Sequence, residues 1–337
     1  MEEQAPKSCC AAGREQVESA PADAKPPAAE MTFAKRMKRR ALAQEGEGPG
    51  SMIRLPGGTF EMGTDTKDGF PADGEGPIRR VEVDSFEISA HAVTNAEFAR
   101  FVEATGYVTE AERFGWSFVF HLLVSEEVGR QVSNVPQGVP WWLVVQGAYW
   151  RCPEGPDSNV EARGDHPVVH ISWNDAGAYC RWSGTQLPTE AQWEYAARGG
   201  LQRKTYPWGD LLKEGGRHRC NIWQGKFPVK NNASDGYVGT APVDAYEPNG
   251  YGLYNMSGNV WEWCRDHFTP EYHRITSDHN PLHEDKGDKR SMRGGSYLCH
   301  RSYCNRYRLA ARSSNTADSS TGNCGFRVVR EANANGQ

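Results

Sequence analysis

The sequence predicts an α+β fold with little regular secondary structure, for three reasons. Its 337 residues include 36 Gly, 20 Pro and 11 Trp, and many turn formers among scattered aromatics are typical of a loop-rich fold. Apolar and polar residues alternate in a few short stretches, which predict strands. Capping signals predict three helices. Hydrophobic residues make up 38% of the chain, which is enough for a sizeable core.

Residues 1–50 are predicted to be a disordered leader. They are rich in Ala, Pro, Glu and Gly and have almost no large apolar side chains, so they cannot bury enough surface to offset the entropy lost on ordering. Cys9 and Cys10 lie in this leader, and we expect neither to have a structural role. The folded domain is predicted to span residues 51–332, followed by a tail at 333–337.

The first predicted elements are strands. Residues 53–63 have the pattern of a strand, a Gly-containing turn and a second strand. Residues 81–88 alternate between apolar and polar side chains, which predicts a single half-buried strand. The first helix begins after Thr94, because Thr94 and Glu97 have the spacing of a capping box and apolar residues follow at helical intervals.

Two further helices are predicted in the middle of the chain. The first begins at Ser172 and ends at Gly184, a residue type that often terminates helices. The second follows at once, with Thr189 as its cap, Gln192 at the capping-box position and Gly199 beyond its last turn.

The second half of the chain shows no regular periodicity. From residue 206 onward Gly, Asn, Asp and Trp alternate, which predicts a long segment of turns. No repeat or low-complexity block follows residue 50. The functional residues of this half are therefore identified from their chemistry and spacing.

Charge and hydropathy exclude several classes of partner. The net charge is only −5, so no global field attracts nucleic acid or an acidic membrane. The N-terminus has no apolar run of signal-peptide length, and no stretch approaches the length of a membrane span. We expect a cytosolic protein with no nucleic-acid or membrane partner. Nine cysteines in a reducing compartment favour reactive or metal-bound thiols over a disulfide framework.

Cys299 and Cys304 form the most informative pair, because they lie among polar, aromatic and cationic residues. Five residues span roughly 16 Å on a strand and turn roughly 140° on a helix, so neither element brings the two sulfurs together. If the cysteines act as a pair, the chain must bend between them. A dithiol beside Arg and His side chains is suited to act as a nucleophile or as a ligand for a soft metal. The alternative is two unrelated, buried and inert cysteines.

Several segments together resemble the formylglycine-generating enzyme family, also called sulfatase-modifying factors. The resemblance extends from about Met52 to Arg330 and indicates a prokaryotic-type member. It depends on residues 57–63 (GGTFEMG), 167–176 (PVVHISWNDA), 187–195 (LPTEAQWEY), 258–263 (GNVWEW) and 325–327 (GFR). The fold that it implies is a single C-type-lectin-like domain. The same scaffold occurs in members with other functions, so these segments alone do not imply an active enzyme.

The cysteine segment matches the catalytic pattern of the true formylglycine generators at Ser296, Cys299, His300, Arg301, Ser302, Tyr303 and Cys304. The resemblance implies an oxidoreductase that uses O2 as acceptor. Its substrate is an unfolded sulfatase segment of the form Cys-x-Pro-x-Arg, whose cysteine is converted to Cα-formylglycine.

Family members are understood to hold Cu(I) between two thiolates, which here are Cys299 and Cys304. Ser296 is expected near the metal and the O2 pocket. Four neighbouring positions are expected to exclude water or to hydrogen-bond the site, namely Trp261, His300, Tyr303 and Asn323. His300 is either a proton carrier or a hydrogen-bonding wall residue. A metal-free dithiol that cycles through a disulfide uses the same residues and stays an alternative.

The resemblance also implies two structural Ca²⁺ sites. Amide, carboxylate and carbonyl oxygens are the ligands that Ca²⁺ takes. The first site corresponds to Asn221, Ile222, Asp235 and Tyr237, and the second to Asn255, Gly258, Val260 and Glu262.

The chain departs from secretory family members at their structural disulfides. Cys180 occupies one such position, but Val328 stands at the partner position, and the other pair falls on Ala197 and Leu309. This agrees with a cytosolic protein whose remaining cysteines are free and structural, namely Cys152, Cys180, Cys220, Cys264 and Cys324.

Two other functions remain open. One is a non-catalytic peptide-binding or scaffold protein of the same fold. The other is a sulfoxide synthase, which would need an iron-binding triad and an extra helical domain that are not visible in the first 50 residues. We expect a monomer. Residues 112–163 supply either the peptide groove or core packing through Trp116, Trp141, Trp142 and Trp150.

Overall fold

The computed structural model describes residues 12–17, 50–285 and 287–332. The predictions for Cys9, Cys10 and the tail at 333–337 therefore lie outside the described residues. Six helices are present in the described ranges, namely α1 (Asn95–Thr105), α2 (Glu110–Phe114), α3 (Glu126–Gln131), α4 (Trp173–Ser183), α5 (Glu190–Arg198) and α6 (Tyr272–Ile275). None of them is long and apolar enough to cross a lipid bilayer.

The strands are short, as predicted for this fold class. They are β1 (Met52–Leu55), β2 (Gly58–Met62), β3 (Arg79–Val83), β4 (Phe86–Ser89), β5 (Trp116–Phe120), β6 (Trp142–Gln146), β7 (Lys213–Glu214), β8 (Arg217–His218), β9 (Gly225–Lys226), β10 (Lys230–Asn231), β11 (Trp261–His267), β12 (Lys289–Arg293), β13 (Ser313–Thr316), β14 (Cys324–Gly325) and β15 (Val329–Glu331). The two larger sheets have the orders β1-β4-β15 and β13-β12-β11-β14. The remaining strands form two-stranded ladders.

The three predicted helices α1, α4 and α5 begin at the predicted caps. The Thr94 hydroxyl accepts the N–H of Glu97, and the Glu97 carboxylate accepts the N–H of Thr94. Ser172 and Thr189 cap α4 and α5 in the same reciprocal manner. Such boxes satisfy main-chain donors that the first turn of a helix leaves unpaired. The capping residues in the sequence therefore predicted the starts of these three helices correctly.

The prediction of one strand over residues 81–88 was wrong. The chain leaves β3 at Asp84 and enters β4 at Phe86, and the two strands pair with different partners, β2 and β1. A glycine is required opposite this corner, because a Cβ at Gly57 would lie 2.5 Å from the carbonyl oxygen of Val83. Two successive polar residues, Asp84 and Ser85, shift the apolar alternation by one position at this corner, and the prediction of a single strand overlooked that shift.

The prediction of turns throughout the second half was also wrong. Strand β11 lies between β12 and β14 in the four-stranded sheet. It carries the buried acidic residues Glu262 and Asp266 among buried Trp and Cys side chains, so it lacks the alternation of a half-buried strand. Because these charged side chains interrupt the apolar pattern, the sequence did not predict the central strand β11.

Residues 12–17 also differ from the disordered leader that was expected. Ala12 and Arg14 are buried, and Arg14–Gln16 form a 3-10 turn against the domain. Arg14 contacts main-chain carbonyls, hydroxyls and aromatic rings rather than an aliphatic core. The composition of the leader gives no signal for this kind of packing.

Candidate active site

The cysteine loop, residues 294–304, folds back on itself after β12. Gly294 and Gly295 have φ of 93° and 74°, and a Cβ on Gly295 would lie 2.9 Å from the carbonyl oxygen of Arg306. The N–H of Cys299 donates to the carbonyl of Ser296 at 2.9 Å, and the N–H of Cys304 donates to the carbonyl of His300 at 2.8 Å. Two successive turns therefore produce the bend that the cysteine spacing required.

The bend brings Cys299 Sγ and Cys304 Sγ to 3.1 Å from each other, in fully buried surroundings. This separation exceeds the S–S bond length of about 2.05 Å, so the two sulfurs are not bonded to each other. The two cysteines form a contacting pair, and the interpretation as unrelated residues was wrong. Adjacent soft donors of this kind suit a monovalent soft metal ion.

Ser296 is oriented by its neighbours in the loop and by Asn323. Its Oγ accepts the side-chain amide of Asn323 at 2.9 Å and the N–H of Leu298 at 3.3 Å. Its own N–H donates to Cys299 Sγ at 3.4 Å. Because the two accepted bonds use both lone pairs of the hydroxyl oxygen, its proton points towards a different partner.

Asn323 is itself held on two sides. Thr321 Oγ1 donates to the side-chain oxygen of Asn323 at 2.7 Å. The main-chain N–H of Trp261, a fully buried residue, donates to the carbonyl of Asn323 at 2.9 Å. The structure therefore gives Trp261 a supporting contact behind Asn323, which in turn orients Ser296.

Aromatic rings pack together beside the cysteine loop and form what we call the aromatic wall (Trp141, Trp223, Phe227 and Tyr303). Tyr303 stacks on Phe227 with ring centroids 4.5 Å apart and meets Trp141 edge-on at 4.9 Å. The N–H of Trp223 donates to the carbonyl of Cys299 at 3.0 Å. Sequence reasoning missed Trp223 and Phe227, because nothing local links residues near 225 to the cysteines.

The four tryptophans of residues 112–163 divide between core and surface of the site. Trp142 and Trp150 are fully buried and pack in the core. Trp141 belongs to the aromatic wall, and Trp116 lies against Arg14. Core packing is therefore confirmed for Trp142 and Trp150, and a peptide groove in this segment stays a prediction.

His300 is half-buried at the edge of the loop. Its Nδ1 accepts the N–H of Ser302 at 3.2 Å and lies 2.7 Å from the Ser302 hydroxyl. Since a main-chain N–H can only donate, Nδ1 carries no proton in this arrangement. Burial lowers the pKa of His300, which also favours the neutral ring. The geometry suits a wall residue as well as a proton carrier through Nε2.

The segment after the loop is fixed by what we call the arginine clamp (Arg306, Arg308 and Arg312). Each of these arginines forms an ion pair with a buried acidic residue. The pairs, with their closest N–O distances, are Arg306 with Asp73 (2.5 Å), Arg308 with Glu75 (2.6 Å) and Arg312 with Glu190 (2.6 Å). Bidentate pairs of this kind fix both distance and orientation. The clamp was not predicted, because its partners are more than 100 residues apart in sequence.

The other cysteines behave as structural thiols. Cys152, Cys180, Cys220, Cys264 and Cys324 form no disulfide. Burial raises the pKa of Cys180 to about 12. Burial, with the charges of Asp235 and Cys299, also raises the pKa of Cys220 above its usual range. These residues therefore remain protonated and unreactive at neutral pH.

The first expected Ca²⁺ position has a donor set that fits a hard cation. Asn221 Oδ1 is buried with no hydrogen-bond partner. The carboxylate of Asp235 accepts the N–H of Ile222 at 3.0 Å and that of Tyr237 at 3.4 Å, and burial raises its pKa. No Lys or Arg pairs with Asp235 among the described ion pairs. A buried carboxylate beside an orphan amide oxygen is consistent with a bound cation.

The second expected Ca²⁺ position fits less well. Asn255 Oδ1 is again buried without a partner. However, the Glu262 carboxylate accepts three bonds, one from Trp193 at 2.7 Å and two from Arg327 at 2.6 and 2.8 Å. A carboxylate offers about four acceptor positions, so Glu262 has one left for a cation. Gly258 and Val260, the other two residues of this set, contribute main-chain carbonyls only.

Comparison with known proteins agrees with this geometry. Residues 38–332 match the Sulfatase-modifying factor enzyme 1-like domain family. The formylglycine-generating enzyme of Streptomyces coelicolor is 59% identical over 280 residues, covering 83% of this chain and 89% of the relative. The inactive Cα-formylglycine-generating enzyme 2 of Bos taurus is 47% identical over 285 residues, covering 84% and 86%.

Among solved structures, PvdO from Pseudomonas aeruginosa superposes with a TM-score of 0.62 at 26% identity, covering 85% of this chain and all of that one. The fold is thus the α+β fold of this family, with low regular secondary structure. Taken together, the domain match over most of the chain and the high identity to its relatives show that this chain belongs to the formylglycine-generating enzyme family.

Proposed function

We propose that this protein is an oxidoreductase that converts the cysteine of a Cys-x-Pro-x-Arg segment in an unfolded sulfatase to Cα-formylglycine. O2 is the acceptor and Cu(I) is the cofactor. The observation that carries the proposal is the 3.1 Å contact between Cys299 Sγ and Cys304 Sγ in a buried loop. The high identity to relatives named formylglycine-generating enzyme supports the same conclusion.

The two cysteines are the residues that would hold the copper ion. Both sulfurs are soft donors, and both lie on main-chain turns that fix their positions. When bound, Cu(I) supplies the one-electron redox chemistry that lets O2 react with a thiol. The metal-free disulfide cycle uses the same two sulfurs and is distinguished by the copper dependence of the reaction.

The remaining residues prepare the site for the substrate thiol. Asn323 orients the Ser296 hydroxyl through a 2.9 Å hydrogen bond, so that its proton is directed away from Asn323. Full burial excludes bulk water from the sulfur pair, which strengthens every polar interaction inside the site. Because the sulfurs are fully buried, a folded sulfatase surface cannot reach them.

Two Ca²⁺ ions are proposed as structural cofactors at the positions of Asn221 and Asn255. Their orphan amide oxygens support the proposal, with better support at the first position because Asp235 adds a carboxylate that has no Lys or Arg partner among the described ion pairs. We further propose a monomer and a cytosolic location, and the location agrees with the absence of a disulfide at Cys152, Cys180, Cys220, Cys264 and Cys324. Light scattering during size-exclusion chromatography measures the mass of the particle directly.

The test of the function is a peptide assay in air. The purified protein is incubated with and without Cu(I) and with a peptide that contains Cys-x-Pro-x-Arg, and any aldehyde is trapped with a hydrazide before mass spectrometry. We expect an aldehyde that depends on copper and is absent from the Cys299→Ser/Cys304→Ser double variant. A copper-independent aldehyde would favour the disulfide cycle.

A non-catalytic peptide-binding protein is the second candidate, because the family includes a relative named as inactive at 47% identity. It predicts that the double variant binds the peptide as well as the unmodified protein does and that no metal condition yields aldehyde. Anisotropy of a labelled peptide distinguishes binding from conversion in the same samples.

A further inference from the structure

Arg14 lies in a built site on the surface of the domain, although it belongs to the leader. Its Nε donates to the carbonyl of Asp318 at 3.0 Å, and its Nη2 donates to the carbonyl of Trp116 and to Ser320 Oγ, both at 3.2 Å. The guanidinium carbon lies 3.9 Å from the ring centroid of Phe114 and 4.1 Å from that of Trp116. Rings, carbonyls and a hydroxyl thus surround the cation on several sides.

This environment differs from that of the other buried arginines. Arg293, Arg312 and Arg327 each bind a buried carboxylate directly. Among the described ion pairs Arg14 has no such partner, and its Nη1 is buried without a hydrogen bond. Burial lowers the pKa of Arg14 to about 10, so it remains charged at neutral pH. The carboxylates of Asp318, Glu110 and Asp175 act on Arg14 without an ion-pair contact, so hydrogen bonds and ring contacts, which a peptide arginine can exchange, hold it in place.

The main chain around Arg14 is bound in the manner of a peptide ligand. The N–H of Arg14 donates to Ser319 Oγ at 2.9 Å, and the carbonyl of Ala12 accepts Asn315 Nδ2 at 3.0 Å. Between them, a Cβ at Gly13 would lie 2.9 Å from Asn315 Oδ1. The domain therefore contacts the segment on both sides of Gly13 and tolerates little bulk there.

The residues that bind Arg14 adjoin the cysteine loop. Three residues beyond Ser320, Asn323 donates to Ser296 Oγ, and the Tyr297 hydroxyl donates to the carbonyl of Gly322 at 3.0 Å. Ala12 packs in the same apolar cluster as Tyr297, which lies two residues before Cys299. One continuous stretch of chain thus contacts both the leader segment and the site of the sulfurs.

The sequence of the leader has the spacing of the substrate motif. Residues 10–14 read Cys-Ala-Ala-Gly-Arg, in which Cys10 precedes Arg14 by four residues, as the cysteine precedes the arginine in Cys-x-Pro-x-Arg. Ala12 stands at the position of the proline and is fully buried. Cys10 itself lies outside the described residues.

We infer that residues 10–14 are a built-in mimic of the substrate, which competes with sulfatase segments for the active site. Arg14 marks the subsite for the substrate arginine, formed by Phe114, Trp116, Asp318 and Ser320. The inference depends on the proposed function for the identity of the substrate motif. Because the mimic is tethered, its effective concentration is high, and it raises the substrate concentration needed to occupy the site.

Affinity for a substrate peptide tests the competition in the metal-free full-length protein. The probe is a fluorescein-labelled copy of residues 7–17 with Ala12→Pro. We expect the Arg14→Ala protein to bind it at least about tenfold more tightly than the unmodified protein. Arg130→Ala, which removes an exposed arginine of α3, should leave the affinity unchanged. Equal or weaker binding by a folded Arg14→Ala protein would overturn the inference.

A cross-linking experiment tests the register and does not require Arg14 to be changed. After the protein has been reduced with dithiothreitol and the reductant removed, diamide accepts two electrons and two protons from a pair of thiols, which become a disulfide. In the Cys299→Ser protein, which cannot form the competing Cys299–Cys304 disulfide, we expect a cross-link from Cys10 to Cys304, which Cys9→Ser retains and Cys10→Ser abolishes. No cross-link from Cys10 in that variant, when the unmodified protein forms aldehyde, would overturn the mimic and leave the proposed function intact. If the cross-link forms but the unmodified protein yields no aldehyde, the result supports the mimic as an occupant of the site and contradicts the proposed function.

Discussion

The cysteine loop and the arginine clamp adjoin in the chain, but different forces hold them. The loop depends on main-chain hydrogen bonds, such as that from the N–H of Cys304 to the carbonyl of His300 at 2.8 Å. The clamp depends on ion pairs, such as Arg308 with Glu75, whose side chains are both only 4% exposed. The segment that we propose for the chemistry is therefore held by main-chain hydrogen bonds, and the next segment is anchored by ion pairs.

This difference predicts that activity and stability can be changed separately. Main-chain turns leave the side chains of the loop available to a ligand and a substrate, whereas each clamp arginine already uses its donors within the protein. Loss of a loop side chain should remove activity with little effect on folding. Loss of a clamp side chain should lower stability and leave the activity of the folded protein unchanged, as long as the loop keeps its position.

The largest change in stability is expected from the clamp. Arg308→Met leaves the Glu75 carboxylate buried without its partner, which costs about 3–5 kcal/mol of unfolding free energy. Urea denaturation measures this value. The double variant Arg308→Met/Glu75→Met should recover most of the loss, because neither charge is then left alone. No difference between the single and double variants would contradict the role of the pair.

The pH dependence of stability should show the same ionic anchoring. Burial acts to raise the pKa of Glu194, but Arg198 and Arg293 outweigh it and lower the pKa to about 2. A carboxylate with a depressed pKa stabilises the fold fully above its unfolded pKa of about 4.5, and this contribution is lost as the pH falls towards 2. About 3 kcal/mol should disappear across this window in urea titrations. In Glu194→Gln the free energy of unfolding should change much less over the same pH range.

On the loop side, Asn323→Ala is expected to lower the rate of aldehyde formation by about 10–100-fold, since it removes the bond that orients Ser296. The unfolding midpoint should fall by less than in Arg308→Met, because the lost bonds to Ser296 and Thr321 are between neutral groups. A matched control is Asn249→Ala, because Asn249 binds the carbonyls of Ala196 and Ala197 at the end of α5. That variant should lose stability and keep its rate. Equal rates for both variants would remove Asn323 from the site.

The smallest expected effect concerns the proposed Ca²⁺ ions, which belong to neither region. Chelation with EGTA should lower the melting temperature by about 2–4 °C, corresponding to about 1 kcal/mol of binding free energy. Asn221→Ala should abolish most of this shift, because it removes the orphan oxygen at the better donor set. If EGTA leaves the melting temperature of the unmodified protein unchanged, the Ca²⁺ proposal is wrong.

The sequence predicted those features whose signals are local. The caps at Thr94, Ser172 and Thr189 lie within three residues of their partners, and each was found. The bend between Cys299 and Cys304 was also predictable, because their spacing excludes a straight element.

Features that depend on distant partners could not be predicted. Arg308 binds Glu75 across 233 residues, and the segment that supplies Phe227 to Tyr303 has no local link to the cysteines. The buried Glu262 interrupts the apolar pattern of β11, so the central strand resembled a turn. Arg14 packs through polar contacts and rings, which composition does not report. In each case long-range pairing overrides a weak local preference.

The most direct test of the account is to measure aldehyde yield and urea midpoint on the same samples of Cys304→Ser and Arg308→Met. The account predicts that Cys304→Ser forms no aldehyde at an unchanged midpoint, and that Arg308→Met unfolds at lower urea while its folded fraction still forms aldehyde. Aldehyde from Cys304→Ser at the rate of the unmodified protein would contradict the central claim that the sulfur pair performs the chemistry.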